Sequence, residues 1–263
     1  MSKIADAFAA SPNGKAFIPF ITAGDPTIEV TERLVIAMAE AGADLIELGV
    51  PFSDPTAEGP VIQDANIRAL RNKVTTDDVF DMVGRLRERG CDVPLVFMTY
   101  ANVVYSYGTE RFVKNGAKAG IDGIILPDVP FEEKEDFAPA CKEYGIDLVS
   151  LIAPTSANRI AMIAKEAEGF LYIVSSLGVT GTRTNIDTDL ASIMRTVREN
   201  TDLPAAIGFG ISTPEQAEKM AGLSDGAIVG SAIVKIIAKY GKDAPSYVGE
   251  YVKSMVEGVA RAR

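Results

Sequence analysis

The chain contains no histidine and no tryptophan, only two cysteines, and no apolar run near the ~18 residues that cross a bilayer. Without histidine, the commonest general base and metal ligand is missing, so acid–base chemistry falls to carboxylates, lysine, tyrosine or a thiol and no metal site is predicted. Cys91 and Cys141 lie far apart and neither sits in a CxxC pair. That usage predicts buried thiols in a reducing compartment, not a disulfide framework. Positive charge is also scarce: 26 Lys and Arg face 36 Asp and Glu, a net charge of −10 that opposes general nucleic-acid binding. An anionic ligand then needs a local pocket of backbone N–H groups. The amino terminus lacks the charged-then-apolar pattern of a secretory signal, and a cytoplasmic protein with no membrane segment is expected.

What the chain does contain is a repeating alternation. Short apolar segments fit buried strands at Ala16–Ile21, Leu45–Leu48, Leu95–Met98, Gly123–Leu126, Leu148–Ile152, Phe170–Val174, Ala205–Ile207 and Ala227–Val229, each followed by turn residues. Between them, apolar residues recur at helical spacing, as in Val30, Leu34, Ala37, Met38 and Ala41 before Gly42. Thr213-Pro214-Glu215-Gln216 predicts an N-cap, a proline at the first helical position and a capping-box glutamine. Eight strand–helix units predict a closed parallel (β/α)8 barrel formed by residues 1–263 as a single domain. A doubly wound open sheet is the alternative, and it more often stops at five or six strands. An extra helix is expected over Ser2–Ala10. A second is expected around Ile62–Leu70, because the interval between strands two and three is unusually long.

That interval begins with Glu47 in strand two and continues through a proline-restricted loop carrying Asp54 and Glu58. A carboxylate within an apolar strand is costly to bury without partners, so Glu47 is either paired or turned to the surface, or is a functional group at the barrel mouth. Burial would raise its pKa and suit it to hold and return a proton. In the second half, glycines follow strands six, seven and eight at Gly178 and Gly181, Gly208 and Gly210, and Gly230. Ser231 opens a helix behind the last of them, which fits a phosphate held by backbone N–H groups, although turn-making alone accounts for any single glycine. No lysine lies at a clear strand end, which argues against a Schiff-base aldolase. Phe20, Met98, Ile125 and Ile152, at the ends of strands one, three, four and five, fit either the core or a flat aromatic pocket opposite the glycines.

Four segments carry a resemblance. Phe17-Ile18-Pro19-Phe20-Ile21-Thr22-Ala23-Gly24-Asp25-Pro26, Glu47-Leu48-Gly49-Val50-Pro51-Phe52-Ser53-Asp54-Pro55, Met98-Thr99-Tyr100-Ala101-Asn102 and Gly208-Phe209-Gly210-Ile211-Ser212 together resemble the tryptophan synthase α subunit family. The resemblance implies a TIM barrel that cleaves indole-3-glycerol phosphate to indole and glyceraldehyde 3-phosphate. It implies no cofactor in this chain, and a β subunit, in an α2β2 heterotetramer, whose pyridoxal phosphate joins the indole to serine. Glu47 would move protons at indole C3 and the C3′ hydroxyl, and Glu58, where the family pattern has Asp, would engage the indole N–H. Tyr100, Tyr172 and Thr180 match positions near the substrate. Gly181, Gly208, Phe209, Gly210, Gly230 and Ser231 match the phosphate site, and Phe20, Ile125 and Ile152 the indole pocket. Asp54, Pro55 and Asn102 match positions that meet the β subunit. The segment Val179–Asp189 would be a lid, and the family's Ser-Arg after strand six is replaced by Ser175-Ser176, with Arg183 nearby.

Two other readings share the fold: a phosphosugar isomerase or aldolase, which leaves the apolar cluster unexplained, and a noncatalytic subunit that activates a partner enzyme.

Overall fold

A computed structural model describes residues 2–174, 186–208 and 210–263. Eight parallel strands close on themselves in sequence order, so that no strand edge is left unpaired. They are β1 (Ala16–Thr22), β2 (Ile46–Gly49), β3 (Leu95–Met98), β4 (Gly123–Ile125), β5 (Asp147–Ile152), β6 (Leu171–Val174), β7 (Ala205–Gly208) and β8 (Gly226–Val229). The sequence reading placed all eight, to within a residue or two at their ends.

The helices form the outer layer. After α1 (Lys3–Ala10) come α2 (Ile28–Glu40), then α3 (Pro60–Arg71) and α4 (Thr76–Glu88) between β2 and β3. The expected extra helices are thus α1 and α3. A pair, α5 (Ala101–Tyr107) and α6 (Thr109–Ala119), follows β3, broken at Gly108, whose φ of 94° lies in the left-handed half of backbone space. Next are α7 (Ala138–Tyr144), α8 (Ala157–Lys165), α9 (Ile186–Arg198), α10 (Pro214–Leu223), α11 (Ser231–Tyr240) and α12 (Ala244–Ala260). Helix α12 was not expected. It packs between α10 and α2, burying Val248, Val252, Met255 and Val259 against the same core as Leu34, Met38 and Ala217, while α11 lies beside α3 and β1.

The strand period of two divides the side chains cleanly. Ile18, Val96, Ile125, Val149, Tyr172, Ala206 and Ile228 fill the barrel, whereas Phe17, Ile46, Leu48 and Phe97 pack outward beneath the helices. The bottom is closed by α1, whose Ile4 and Phe8 join the interior cluster, the Phe8 ring lying 5.6 Å from that of Phe170. Ser2 caps α1 by accepting from the Ala5 N–H. With one end filled by apolar side chains, the open end is the C-terminal mouth. Among the described residues no helix is long and apolar enough to cross a membrane.

Candidate active site

A cavity of about 1960 Å³ opens at the C-terminal ends of the strands. Glu47 reaches it because β2 pairs Glu47 with Phe20 on one side and Val96 on the other, and all three belong to the inward-facing set. The residue is 0% exposed, and among the described residues neither carboxyl oxygen has a hydrogen-bond partner. Burial pushes its pKa up to about 8, so the neutral acid predominates at neutral pH. Tyr172, inside the barrel on β6, has its pKa driven far up, first by burial and then by the charge of Glu47. Gly208 gives the Tyr172 ring its space, since a Cβ there would lie 2.5 Å from the phenol oxygen.

Glu58 reaches the same cavity from the loop between β2 and α3. Its Oε2 accepts a hydrogen bond from Asn66 Nδ2 at 2.9 Å. Burial raises its pKa to about 7, and hydrogen bonds from Asn66 and Tyr100 to the ionised form hold it from rising further. The two carboxyls therefore differ in kind: one is unpartnered and the other is held by donors.

After β8, Gly230 and Ser231 open α11 at the cavity wall; among the described residues no side chain caps its first turn, whose N–H groups face an anion site. Gly210, with φ of 75°, also lines the cavity. Its loop is fixed by the expected capping box of α10. Gln216 N–H donates to Thr213 Oγ1 at 3.3 Å, and Gln216 Oε1 accepts from the N–H groups of Ser212 and Thr213. Lys235, one helical turn beyond Ser231, also lines the cavity.

Not every expected site residue comes to this cavity. Phe20 lines it, together with Met98. Ile125 sits deeper in the barrel interior with Val149 and Tyr172. Ile152 points the other way, packing with Ile160, Ile163 and Leu171 between the sheet and α8, because position along a strand does not set which face a side chain takes. Tyr100 stands behind the loop, where its hydroxyl accepts from the Ala57 N–H at 3.1 Å. Gly208 backs Tyr172. Asp54 and Asn102 are exposed on the loop after β2 and at the start of α5, while Pro55 is buried. Thr180, Gly181 and Phe209 lie outside the described residues, as do Ser175, Ser176, Arg183 and the expected lid up to residue 185; from Ile186 that segment is α9.

Asn66 was missed by the sequence reading. Its signal was present: it shares the buried face of α3 with Ile62, Ala65 and Ala69, eight residues after Glu58. A polar side chain on an apolar helix face must find partners.

Comparison with known proteins agrees with this geometry. The family model described as tryptophan synthase alpha chain matches residues 7–261. The tryptophan synthase alpha chain of Lacticaseibacillus casei is 48% identical over 255 residues, covering 97% of this chain and 94% of the relative. That of Lactiplantibacillus plantarum is 50% identical over 244 residues, covering 92% of each. Among solved structures, the tryptophan synthase alpha chain of Legionella pneumophila superposes with a TM-score of 0.87 at 36% identity, covering 98% of this chain and 97% of that one. The chain belongs to the tryptophan synthase alpha chain family, carbon–carbon lyases whose alpha reaction cleaves indole-3-glycerol phosphate in tryptophan biosynthesis.

Proposed function

We propose that Glu47 is the proton shuttle of this cleavage and Glu58 the acceptor for the indole N–H. As the neutral acid, Glu47 protonates indole C3, and the resulting indolenine cation accepts the electron pair of the C3–C3′ bond as it breaks. The Glu47 carboxylate then takes the proton of the C3′ hydroxyl. Indole and glyceraldehyde 3-phosphate leave, and Glu47 is again protonated. Glu58, ionised, offsets the positive charge that develops on the ring nitrogen. In the same reading the phosphate lies on Gly230, Ser231 and Gly210, with Gly181, Gly208 and Phe209 completing that end. Phe20 flanks the indole, Ile125 lies beneath it in the barrel interior, and Tyr172, Tyr100 and Thr180 frame the reacting groups.

One observation carries the assignment: Glu47 is fully buried, has no hydrogen-bond partner among the described residues and still lines the cavity. An unpartnered buried carboxyl is destabilising, and proton transfer to a bound substrate gives it a purpose. Glu47→Gln is expected to lower kcat for indole release from indole-3-glycerol phosphate by at least about 10²-fold with little change in KM. Turnover near that of the parent would sink the assignment.

The reading extends to a β subunit in an α2β2 assembly, with pyridoxal phosphate held by that partner and no cofactor required by this chain. Asp54 and Asn102 are the proposed docking rim, with Pro55 buried beneath it. Its support is that Asp54 shares one short loop with Glu58, so a partner pressing on the rim acts on the carboxyl that meets the substrate. Indole release measured with and without a β subunit is expected to rise in its presence. An unchanged rate would remove the coupling.

A further inference from the structure

We propose that Asn66 is a positioning residue for the alpha reaction: through one side-chain amide it fixes both ends of the loop after β2 and sets where the Glu58 carboxyl points. The inference rests on the assignment of Glu58 to the substrate nitrogen.

Asn66 is 4% exposed, and its amide is used in three directions. Oδ1 accepts from the Phe52 N–H at 2.9 Å, at the start of the loop. Nδ2 donates to Glu58 Oε2 at 2.9 Å, near the loop's end, and to the Ile62 carbonyl at 2.9 Å. Turning the amide over would set Nδ2 against a backbone N–H and Oδ1 against a carboxyl and a carbonyl oxygen, so all three partners dictate one orientation. Tyr100 pins the intervening backbone by accepting from the Ala57 N–H at 3.1 Å. The frame behind Asn66 is equally fixed. Two residues further along α3, Arg68 donates Nε and Nη2 to the two carboxyl oxygens of Asp25 at 2.8 and 2.7 Å, and Asp25 is 1% exposed. The loop after β1 thus holds α3, α3 holds Asn66, and Asn66 holds Glu58.

Asn66 does two things for a carboxylate that must meet an N–H. It orients the group, and it favours the ionised form by donating to it, in keeping with the lowering effect of that hydrogen bond on the Glu58 pKa. Glu58 retains acceptor capacity for a substrate, because a carboxylate offers about four lone-pair sites.

The test uses the full chain, indole-3-glycerol phosphate, and three variants. Asn66→Asp keeps the shape and the acceptor for Phe52 but removes the donor and adds a like charge. Asn66→Ala removes all three bonds, and Glu58→Gln removes the group being positioned. Asn66→Asp is expected to lower kcat at pH 7 by about 10- to 10²-fold with KM changed less than about threefold. Its rising pH limb is expected to move upward by about one unit, because both changes disfavour the ionised Glu58. Carbon-13 carboxyl titration of Glu58 should move in the same direction in both Asn66 variants, a readout that a merely structural role would leave in place. If Glu58→Gln loses activity while both Asn66 variants keep the parent kcat and pH limb, the positioning role is overturned and the role of Glu58 stands. If Glu58→Gln itself turns over normally, both fall together.

Discussion

Two glutamates eleven positions apart in sequence face one cavity from different surroundings, and the difference assigns their protonation states. Burial pushes the Glu47 pKa to about 8, while the donors around Glu58 leave it at about 7. The proposed chemistry needs Glu47 neutral and Glu58 ionised. Activity should therefore rise with pH through about 7 as Glu58 loses its proton and fall through about 8 as Glu47 loses its own. A bell-shaped profile of kcat/KM with those limbs is the expected result; a flat profile from pH 6 to 9 would exclude this division of labour. The same burial has a cost in stability. A carboxyl whose folded pKa lies above its unfolded value is protonated more readily in the native state, so stability falls as pH climbs from the unfolded pKa toward the folded one. Removing the titration by Glu47→Gln should favour the variant by up to about 4 kcal/mol more at pH 8.5 than at pH 5, read from urea unfolding at the two pH values. A variant whose relative stability is independent of pH would show that Glu47 titrates normally.

Helix α3 is the element on which the site turns. The sequence marked it by excess length between two strands and by apolar residues at helical spacing, and it marked Glu47 by a carboxylate in an apolar run. Those signals are local, so they were legible. Which face a strand-end residue takes was not: Ile152 and Leu151 are equally apolar, and only the closed register sends Leu151 inward and Ile152 toward α8. The roles of Tyr100 and Asn66 were hidden for a related reason, since their hydrogen bonds cross 43 and 8 residues and depend on how a loop folds back. The Arg68–Asp25 pair, also 43 residues apart, belongs to the same class. Arg68→Ala would leave a buried Asp25 carboxylate without its bidentate partner, and is expected to cost about 3 kcal/mol in urea unfolding. Because α3 carries Asn66, the folded variant should also lose alpha-reaction rate. Normal rate with reduced stability would confine the pair to a structural role.

At the scale of the molecule, the barrel separates what stabilises from what reacts. Among the described residues, its C-terminal mouth gathers most of the buried polar groups without a hydrogen-bond partner, Glu47 and the hydroxyls of Thr22 and Thr99, together with the start of α11, which no side chain caps; Asp147 Oδ2, at the start of β5, is the one such group at the other end. Its other end is sealed by α1, where Ile4 and Phe8 join Ala16, Leu45 and Phe170. Closure makes these two ends interdependent, because each strand's pairing relies on the next around the ring. We propose accordingly that residues 1–263 form one cooperative unit, as the strand count alone predicted. Phe8→Ala tests this from the end farthest from the chemistry. The ring is buried and packs at a tilt against Phe170, so truncation leaves a cavity beneath the barrel and should cost about 3 to 5 kcal/mol. If the barrel is one unit, near- and far-UV circular dichroism will lose signal together at a lower denaturant concentration, while kcat below the transition stays close to that of the parent. Loss of α1 signal alone, with the remaining transition unmoved, would mean that the plug folds separately and that the mouth does not depend on it.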